Sequence, residues 1–262
     1  MKPASQPNSF LLLQNEGYLM QGCFKSSLRI LRQAETGERG QFYSACFNYA
    51  IGLERLLKIL LLLDHWHRGR EFPDFETLKQ YGGKSGHNLE KLYESARNLF
   101  PSYEVEWKPE YEPDSINRDL LTFLSDFANG SRYFNLDSLT GPTQYKDPIQ
   151  RWEGLLYRVH AEDVRNEKQT PGKPYPNPER METPKLAAHH VRLILAARQI
   201  TWRLVQLLLP LFELLIATRE QVHKDDLRIG GEEADPSVPY MEEFLDFVCG
   251  DKTVILESED WP

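Results

Sequence analysis

The fold class of this chain is decided by the stretch Cys46-Phe47-Asn48-Tyr49-Ala50-Ile51-Gly52-Leu53-Glu54-Arg55-Leu56-Leu57-Lys58-Ile59-Leu60-Leu61-Leu62-Leu63. Its apolar residues recur at steps of three and four, which is the period of one face of an α-helix. The apolar face is wide, so the pattern predicts a helix at the centre of the structure that ends at about Gly69. Glu54 and Lys58 stand four residues apart in the order that favours a helical ion pair. The residues predicted to lie in the core are Leu53, Leu57, Leu60, Leu61 and, further along the chain, Leu124.

Helical periodicity continues on both sides of this stretch and predicts an all-α helical bundle, with residues 1–262 forming one mainly helical domain. Helices are expected at about 10–34, 85–99, 115–129, from 148 onward, 184–223 and 240–248. Asp114, Asp147-Pro148 and Thr183-Pro184 are typical of helix starts. The proline-rich segments 101–113 and 166–182 are expected to be loops. Only Lys252–Leu256 has the composition of a strand, and it is predicted to pack as a short extended segment near the C-terminus.

The overall charge and the cysteine content restrict the class of protein. A formal net charge of −8 argues against a basic surface for nucleic acid over the whole molecule, although a local groove remains compatible with it. The three cysteines lack the spacing of a disulfide framework and indicate reduced thiols, so we expect a cytoplasmic protein. The apolar runs Leu56–Leu63 and Leu204–Ala217 are shorter than the ~18 residues of a membrane span, and no signal-peptide pattern is present. Neither a membrane nor a cofactor is therefore expected.

No sequence motif predicts a particular enzyme or a metal site. Gly82-Gly83-Lys84-Ser85 resembles the end of a phosphate-binding loop, but Leu78 occupies the place of the required first glycine and no strand precedes it. The histidine pairs His65/His67 and His189/His190 have no cysteine or carboxylate cluster at ligand spacing. We therefore interpret these histidines as structural and predict that the protein has no metal site.

The segment Ser131-Arg132-Tyr133-Phe134-Asn135-Leu136-Asp137 is the best candidate for a functional loop. On a structural interpretation, Arg132 pairs with an acid while Tyr133 and Phe134 fill the core. On a functional interpretation, Arg132, Asn135 and Asp137 form a fixed polar cluster in a groove of the bundle and bind a ligand there. The sequence leaves both interpretations open.

Three pieces of the chain occur in an order known from one family of helical bundles. They are Cys46–Leu61, Gly86–Leu92, and Asp119–Leu121 leading to Ser131–Tyr133. The family pattern is a helix of the type A-x-E-K-x-L-K-A-L-L, then H-D-L at the start of another helix, then R-Y-P after a later one. The residues on these positions are Glu54, Lys58, His87, Arg132 and Tyr133. Over about residues 40–140 the chain thus resembles the HEPN family, whose members are associated with nucleotide binding.

The resemblance implies a HEPN-like core that works in nucleic-acid or nucleotide biology, as in defence or toxin–antitoxin systems. In ribonuclease members, a histidine acts on the RNA 2′-hydroxyl and an arginine stabilises the phosphate, which makes His87 and Arg132 the candidate catalytic residues. The chain departs from the family pattern at two points that bear on this catalytic role. Phe134 replaces the usual proline, and the Arg-to-His spacing of the ribonucleases is absent, its nearest counterpart being Arg219 and His223.

Two other functions compete with the ribonuclease-derived one. The chain is alternatively a non-catalytic module that dimerises or binds a partner protein, as the acidic charge and the missing ribonuclease spacing favour. A third interpretation is a small-molecule pocket with walls of Trp107, Tyr111, Tyr133, Phe134 and Trp152. A basic groove that gathers Arg118, Arg132, Lys146 and Arg151 favours RNA or a nucleotide as the partner, whereas a large apolar patch favours a protein or a second copy of the chain.

Overall fold

The computed structural model describes residues 7–33, 39–142, 144–167, 184–231, 234–248, 250–258 and 261, except for the side chains of 7–8, 110, 163–167 and 184–195. Within these residues the chain is helical and contains no strand, which confirms the predicted all-α class. The helices are α1 (Pro7–Gln33), α2 (Arg39–Gly69), α3 (Phe75–Tyr81), α4 (Leu89–Arg97), α5 (Ser115–Asn129), α6 (Phe134–Thr140), α7 (Pro148–Glu167), α8 (Pro184–Gly230) and α9 (Lys252–Glu257). Short 3₁₀ turns occur at Phe100–Tyr103, Pro109–Tyr111, Ser131–Tyr133 and Met241–Leu245.

Helix α2 lies at the centre of the bundle and packs against α1, α4, α5 and α8. The five residues predicted to lie in the core are all at most 2% exposed, so that prediction is confirmed. The Tyr49 hydroxyl of α2 donates a hydrogen bond of 2.7 Å to the backbone carbonyl of Leu204 in α8. The two longest helices are therefore joined by a buried polar contact as well as by apolar packing.

Short polar side chains start the helices where the sequence predicts them. Asp114 caps α5 by accepting bonds of 2.9 and 2.8 Å from the amides of Ile116 and Asn117. Asp147 accepts a 2.8 Å bond from the amide of Ile149 at the start of α7. Helix α4 begins at Leu89 rather than near Ser85, because Asn88 is its cap and the preceding residues form a tight turn.

Two predictions of local structure are wrong. Residues 252–256 form helix α9 instead of an extended segment, because Asp251 caps two amides and the helix can bury Ile255 while Val254 stays exposed. The segment 131–137 is a 3₁₀ turn followed by α6 rather than a loop. Helix α8 also continues past His223 to Gly230 and passes through Pro210 without ending. Helix α7 extends to Glu167, and the rest of the loop predicted at 166–182 lies outside the described residues.

Helix α8 contains the one stretch among the described residues that is long and apolar enough to cross a membrane. This stretch is Ala196–Gly230, and its most apolar 18-residue window has a mean hydropathy of 1.6. Of its most apolar window, 56% is buried inside the bundle, as in the core helix of a soluble protein. The apolar character of α8 is thus explained by packing on α1, α2 and α7.

Replacing Leu57 by Ala is expected to lower the free energy of unfolding by about 2–5 kcal/mol, because a fully buried side chain leaves a cavity. Urea denaturation followed by circular dichroism measures this change. The matched control is Leu139→Ala in α6, where the side chain is 83% exposed and the expected change is below about 0.5 kcal/mol. Similar losses in both variants would contradict the central position of α2.

Candidate functional site

A cleft of about 600 Å³ opens over the solvent-facing side of α2 and is bounded by α1, α3, the turn before α4, and the end of α5. Its apolar lining includes Phe47, Ile51, Leu62 and Leu78. The charged or titratable residues that line it are Glu16, Glu54, Arg55, Lys58, His87 and Arg132. The cleft therefore combines an apolar floor with a polar rim.

The floor of the cleft is a stripe of α2 that the other helices leave partly open. Phe47, Ile51, Glu54, Lys58 and Leu62 succeed one another at steps of three and four, so their side chains lie along one line of the helix. These residues are partly or largely exposed, whereas their neighbours on the other faces of α2 are buried. The two charged members of the stripe, Glu54 and Lys58, make the open side of the central helix partly polar.

A tight turn between α3 and α4 places His87 at the edge of the cleft. The amide of Asn88 donates a 3.1 Å bond to the carbonyl of Gly82, which closes the turn. A Cβ atom on Gly82 would lie 2.4 Å from the backbone of Gly86, and Gly86 itself has φ +76°. Both positions therefore require glycine, for close approach and for the left-handed conformation respectively. The glycines of this segment serve the turn, and no strand precedes it, contrary to what a phosphate-binding loop requires.

The same turn is tied to the end of α5. The Ser85 hydroxyl bonds to Oδ1 of Asn129 at 2.8 Å and accepts a 3.3 Å bond from the amide of His87. Ser125 of α5 accepts a 3.1 Å bond from the amide of Leu89. These contacts bring the start of α4, and His87 with it, next to the segment that carries Arg132.

His87 is held by Glu54, which also binds Lys58. Nδ1 of His87 lies 2.9 Å from Oε1 of Glu54, and Nζ of Lys58 donates to the same oxygen at 2.7 Å. The predicted ion pair of Glu54 and Lys58 is thus confirmed. Because an ionised carboxylate only accepts hydrogen bonds, this contact favours the tautomer with the proton on Nδ1, in which Nε2 can accept a hydrogen bond or a proton. His87 is therefore oriented as a general base requires, on a side chain that is 54% exposed.

Arg132 lines the same cleft from the turn after α5. Its Nη1 donates a 2.7 Å bond to the carbonyl of Ala128, in the last turn of α5, where a cation also interacts favourably with the helix dipole. The guanidinium lies 5.6 Å from the ring centre of Phe47 and 5.0 Å from that of Tyr133. Its Nε is buried and has no hydrogen-bond partner among the described residues. Arg132 is thus fixed in direction and keeps further donors for a ligand.

His87 and Arg132 therefore meet at one cleft although they belong to different elements. Asn135 and Asp137 do not line this cleft: both are exposed on α6, and Asn135 lies beside Tyr43. Of the three residues of the predicted polar cluster, only Arg132 lines this cleft. The role of Asn135 and Asp137 in ligand binding stays a prediction.

Of the four cations whose gathering into one groove would favour RNA or a nucleotide, Arg118 and Arg132 lie far apart. Arg118 lies in the first turn of α5 and Arg132 lies beyond its last turn, about 20 Å away at 1.5 Å per residue. Arg118 pairs with Glu112 at 3.4 Å and Arg151 with Asp126 at 2.5 Å. In the cleft, Arg55 pairs with Glu16, and Lys58 pairs with Glu54. Within each of these two ion pairs the charges cancel. Arg132 and His87 are the other charged or titratable residues that line the cleft, so its local charge is close to balanced.

The other residues that the sequence singled out serve the architecture. His65 contacts the Tyr81 hydroxyl at 3.0 Å and His67 contacts Asp225 at 2.7 Å. No group of three metal-ligating side chains occurs among the described residues, which exclude the side chains of His189 and His190. Arg219 forms a 2.5 Å ion pair with Glu242, away from the cleft.

Sequence reasoning missed four residues that build the cleft, namely Glu16, Phe47, Arg55 and Leu78. Only Phe47 gave a signal, as an aromatic residue on the polar side of the α2 pattern. Glu16 and Leu78 come from other helices, so the spacing within α2 contains no information about them.

Comparison of the chain with protein-family models, with curated proteins and with solved structures found no match.

Replacing Arg132 by Ala is expected to lower the free energy of unfolding by about 1 kcal/mol, because it removes the bond to the Ala128 carbonyl and two cation–π contacts. Urea denaturation measures this loss. Arg118→Ala is the control, since that side chain is 64% exposed, and its effect should stay below about 0.5 kcal/mol. Equal effects of the two variants would show that the contacts of Arg132 do not stabilise the end of α5.

Proposed function

We propose that the chain is a HEPN-like protein that binds RNA or a nucleotide in the α2 cleft, with Arg132 on a phosphate and His87 beside the ribose. The observation that carries the proposal is that His87 and Arg132 line one cleft. On the family analogy, the setting is cytoplasmic and belongs to defence or toxin–antitoxin biology.

The chemistry of the cleft suits a ligand with a flat apolar part and a negative charge. A planar guanidinium matches phosphate oxygens, and the bond of Arg132 to the Ala128 carbonyl, with the nearby rings of Phe47 and Tyr133, limits its freedom before binding. Phe47 is 42% exposed and offers a face for a base. The near-balance of charge elsewhere in the cleft argues for one or a few nucleotides rather than a long duplex, which needs many cations.

The same geometry supports a catalytic role. Glu54 holds His87 in the tautomer whose Nε2 can accept a proton from a hydroxyl group. Arg132 is a suitable partner because it can stabilise the charge that develops on a phosphate. The activity proposed on this basis is cleavage of RNA by attack of the 2′-hydroxyl on the adjacent phosphate, which releases the 5′-oxygen of the next nucleotide and leaves a cyclic phosphate.

The proposal is tested with purified full-length protein, a short single-stranded RNA of mixed sequence and adenosine monophosphate. Binding is measured by fluorescence anisotropy and calorimetry, and cleavage by gel electrophoresis. Arg132→Ala is expected to weaken binding at least about tenfold, since a bond to a charged group is lost. His87→Gln is expected to abolish cleavage while binding changes little.

The matched controls are Arg118→Ala and His160→Gln, which change residues that do not line the cleft. The absence of saturable binding by the unmodified protein would overturn the proposal. Equal effects of the control and cleft variants would do the same. Binding without cleavage would retain the site and remove the catalytic role of His87.

A second candidate function, dimerisation or the binding of a partner protein, is favoured by the apolar surface of α6. No residue of α6 is buried, and the exposed fractions of Leu136 and Leu139 are 63% and 83%. The side chains of Tyr133, Leu136 and Leu139 follow one another at steps of three, so they lie on one side of the segment. Isolated exposed leucines are common, but a contiguous patch is typical of a protein interface.

Under this second function, light scattering after size exclusion should give the mass of a dimer, and Leu136→Glu with Leu139→Glu should give the mass of a monomer. The reason is that two carboxylates cannot be buried in an apolar interface without a partner. The control replaces Phe75, which is 74% exposed on α3, by Glu and should leave the mass unchanged. A monomeric unmodified protein at all concentrations would exclude a dimer of this kind.

A further inference from the structure

A second cavity, of about 510 Å³, shares no lining residue with the α2 cleft. One wall is a stripe of α8, in which Trp202, Gln206, Leu209 and Glu213 recur at steps of four, three and four. The other walls come from Tyr111, in the turn Pro109–Tyr111, and from Val248 and Gly250. The cavity has the size and the mixture of apolar and polar groups that are usual for small-molecule sites.

Aromatic side chains dominate the apolar part of this cavity. Trp202, Phe212 and Tyr111 all line it and are all only partly buried, so part of each ring faces the open space. The ring of Tyr111 contacts that of Trp107, with 6.1 Å between the ring centroids. The ring of Trp107 in turn contacts that of Phe100, with 5.0 Å between the centroids. The wall is therefore fixed before a ligand enters, which lowers the entropic cost of binding.

Glu213 lines the cavity and is paired with Lys108, which is not a lining residue but holds its ammonium next to Glu213 and Tyr111, which are. Nζ of Lys108 donates to Oε1 of Glu213 at 2.7 Å and to the Tyr111 hydroxyl at 2.9 Å. The Tyr111 hydroxyl donates to the same Oε1. A lysine ammonium has three donors and a carboxylate has two oxygens, so one donor of Lys108 and Oε2 of Glu213 are left for a ligand.

Gln206 provides a further polar group in the same wall. Its Oε1 is buried and has no hydrogen-bond partner among the described residues. Because an atom that is closed to solvent does not face an open cavity, Gln206 contributes its side chain to the wall but no acceptor for a ligand.

We propose that this cavity binds a free amino acid with an aromatic side chain. Its ammonium contacts Glu213, its carboxylate contacts Lys108, and its ring packs against Trp202 and Phe212. A zwitterion fits because the Lys108–Glu213 pair offers one charge of each sign, whereas a ligand with a single charge would face a repulsive partner. The aromatic walls select a ring rather than a small side chain.

Calorimetry on the full-length protein tests this assignment with three probes: L-phenylalanine, phenethylamine, which lacks the carboxylate, and 3-phenylpropionate, which lacks the ammonium. L-phenylalanine should bind saturably, and each analogue should bind at least about tenfold more weakly, because one charged hydrogen bond is lost. Glu213→Gln should weaken the binding of L-phenylalanine by a similar factor. Glu112→Gln, the matched control, removes a carboxylate that pairs with Arg97 and Trp107 but does not line the cavity, and it should weaken the binding of L-phenylalanine far less than Glu213→Gln does.

Tryptophan fluorescence locates the binding event. L-phenylalanine should change the emission of the unmodified protein, and Trp202→Phe should remove that change while the heat of binding remains, because an aromatic wall is kept. The assignment is overturned if L-phenylalanine does not bind saturably or if the three probes bind equally. It is also overturned if Glu112→Gln weakens binding as much as Glu213→Gln does. Circular dichroism confirms that each variant is folded, so a loss of binding is not due to a loss of structure.

Discussion

The constraint on which the structure depends is that α2 must be buried on almost every side. Its leucines at positions 53, 57 and 60 are fully buried, which requires helices in front, behind and beside it. Those helices cannot cover the stripe that contains Glu54 and Lys58, because burying two charged side chains costs more free energy than their pairing returns. The uncovered stripe is the floor of the cleft. The candidate site is thus the part of the central helix that the hydrophobic effect could not close.

The sequence predicted the helices well and the details between them poorly. The period of the apolar residues and the caps at Asp114 and Asp147 were sufficient for α2, α5 and α7, since both signals are local. The short segment 252–256 was misjudged because β-branched residues favour strands only where strands have partners, and none was available here. A cap at Asp251 and the burial of Ile255 decided its conformation instead.

Only part of the candidate site was predicted, because the spacing of residues reports contacts within one helix and not contacts between separate elements. The pair of Glu54 and Lys58 is local to one helix and could be foreseen, whereas the contact of His87 with that pair depends on a turn 33 residues away. A loop was predicted for the segment that carries Asn135 and Asp137, whereas the chain forms α6 there. In the second cavity, the stripe from Trp202 to Glu213 has helical spacing, but its partner Tyr111 comes from a separate turn, and spacing alone cannot reveal such a pairing.

The contact between Tyr49 and α8 has a consequence at alkaline pH. Burial raises the pKa of Tyr49 well above its ordinary value of 10.0, and burial likewise raises the pKa of Tyr93, whose hydroxyl also faces a carbonyl of α8. Both hydroxyls therefore stay protonated in the folded chain at a pH where the unfolded chain loses these protons. Below about pH 10 their contribution to stability is complete. Above about pH 10, each phenol lowers the free energy of unfolding by about 1.4 kcal/mol per pH unit, until the folded protein also releases the proton. The hydroxyls of Tyr49 and Tyr93, which join α2 and α4 to α8, thus set an upper pH limit for the bundle.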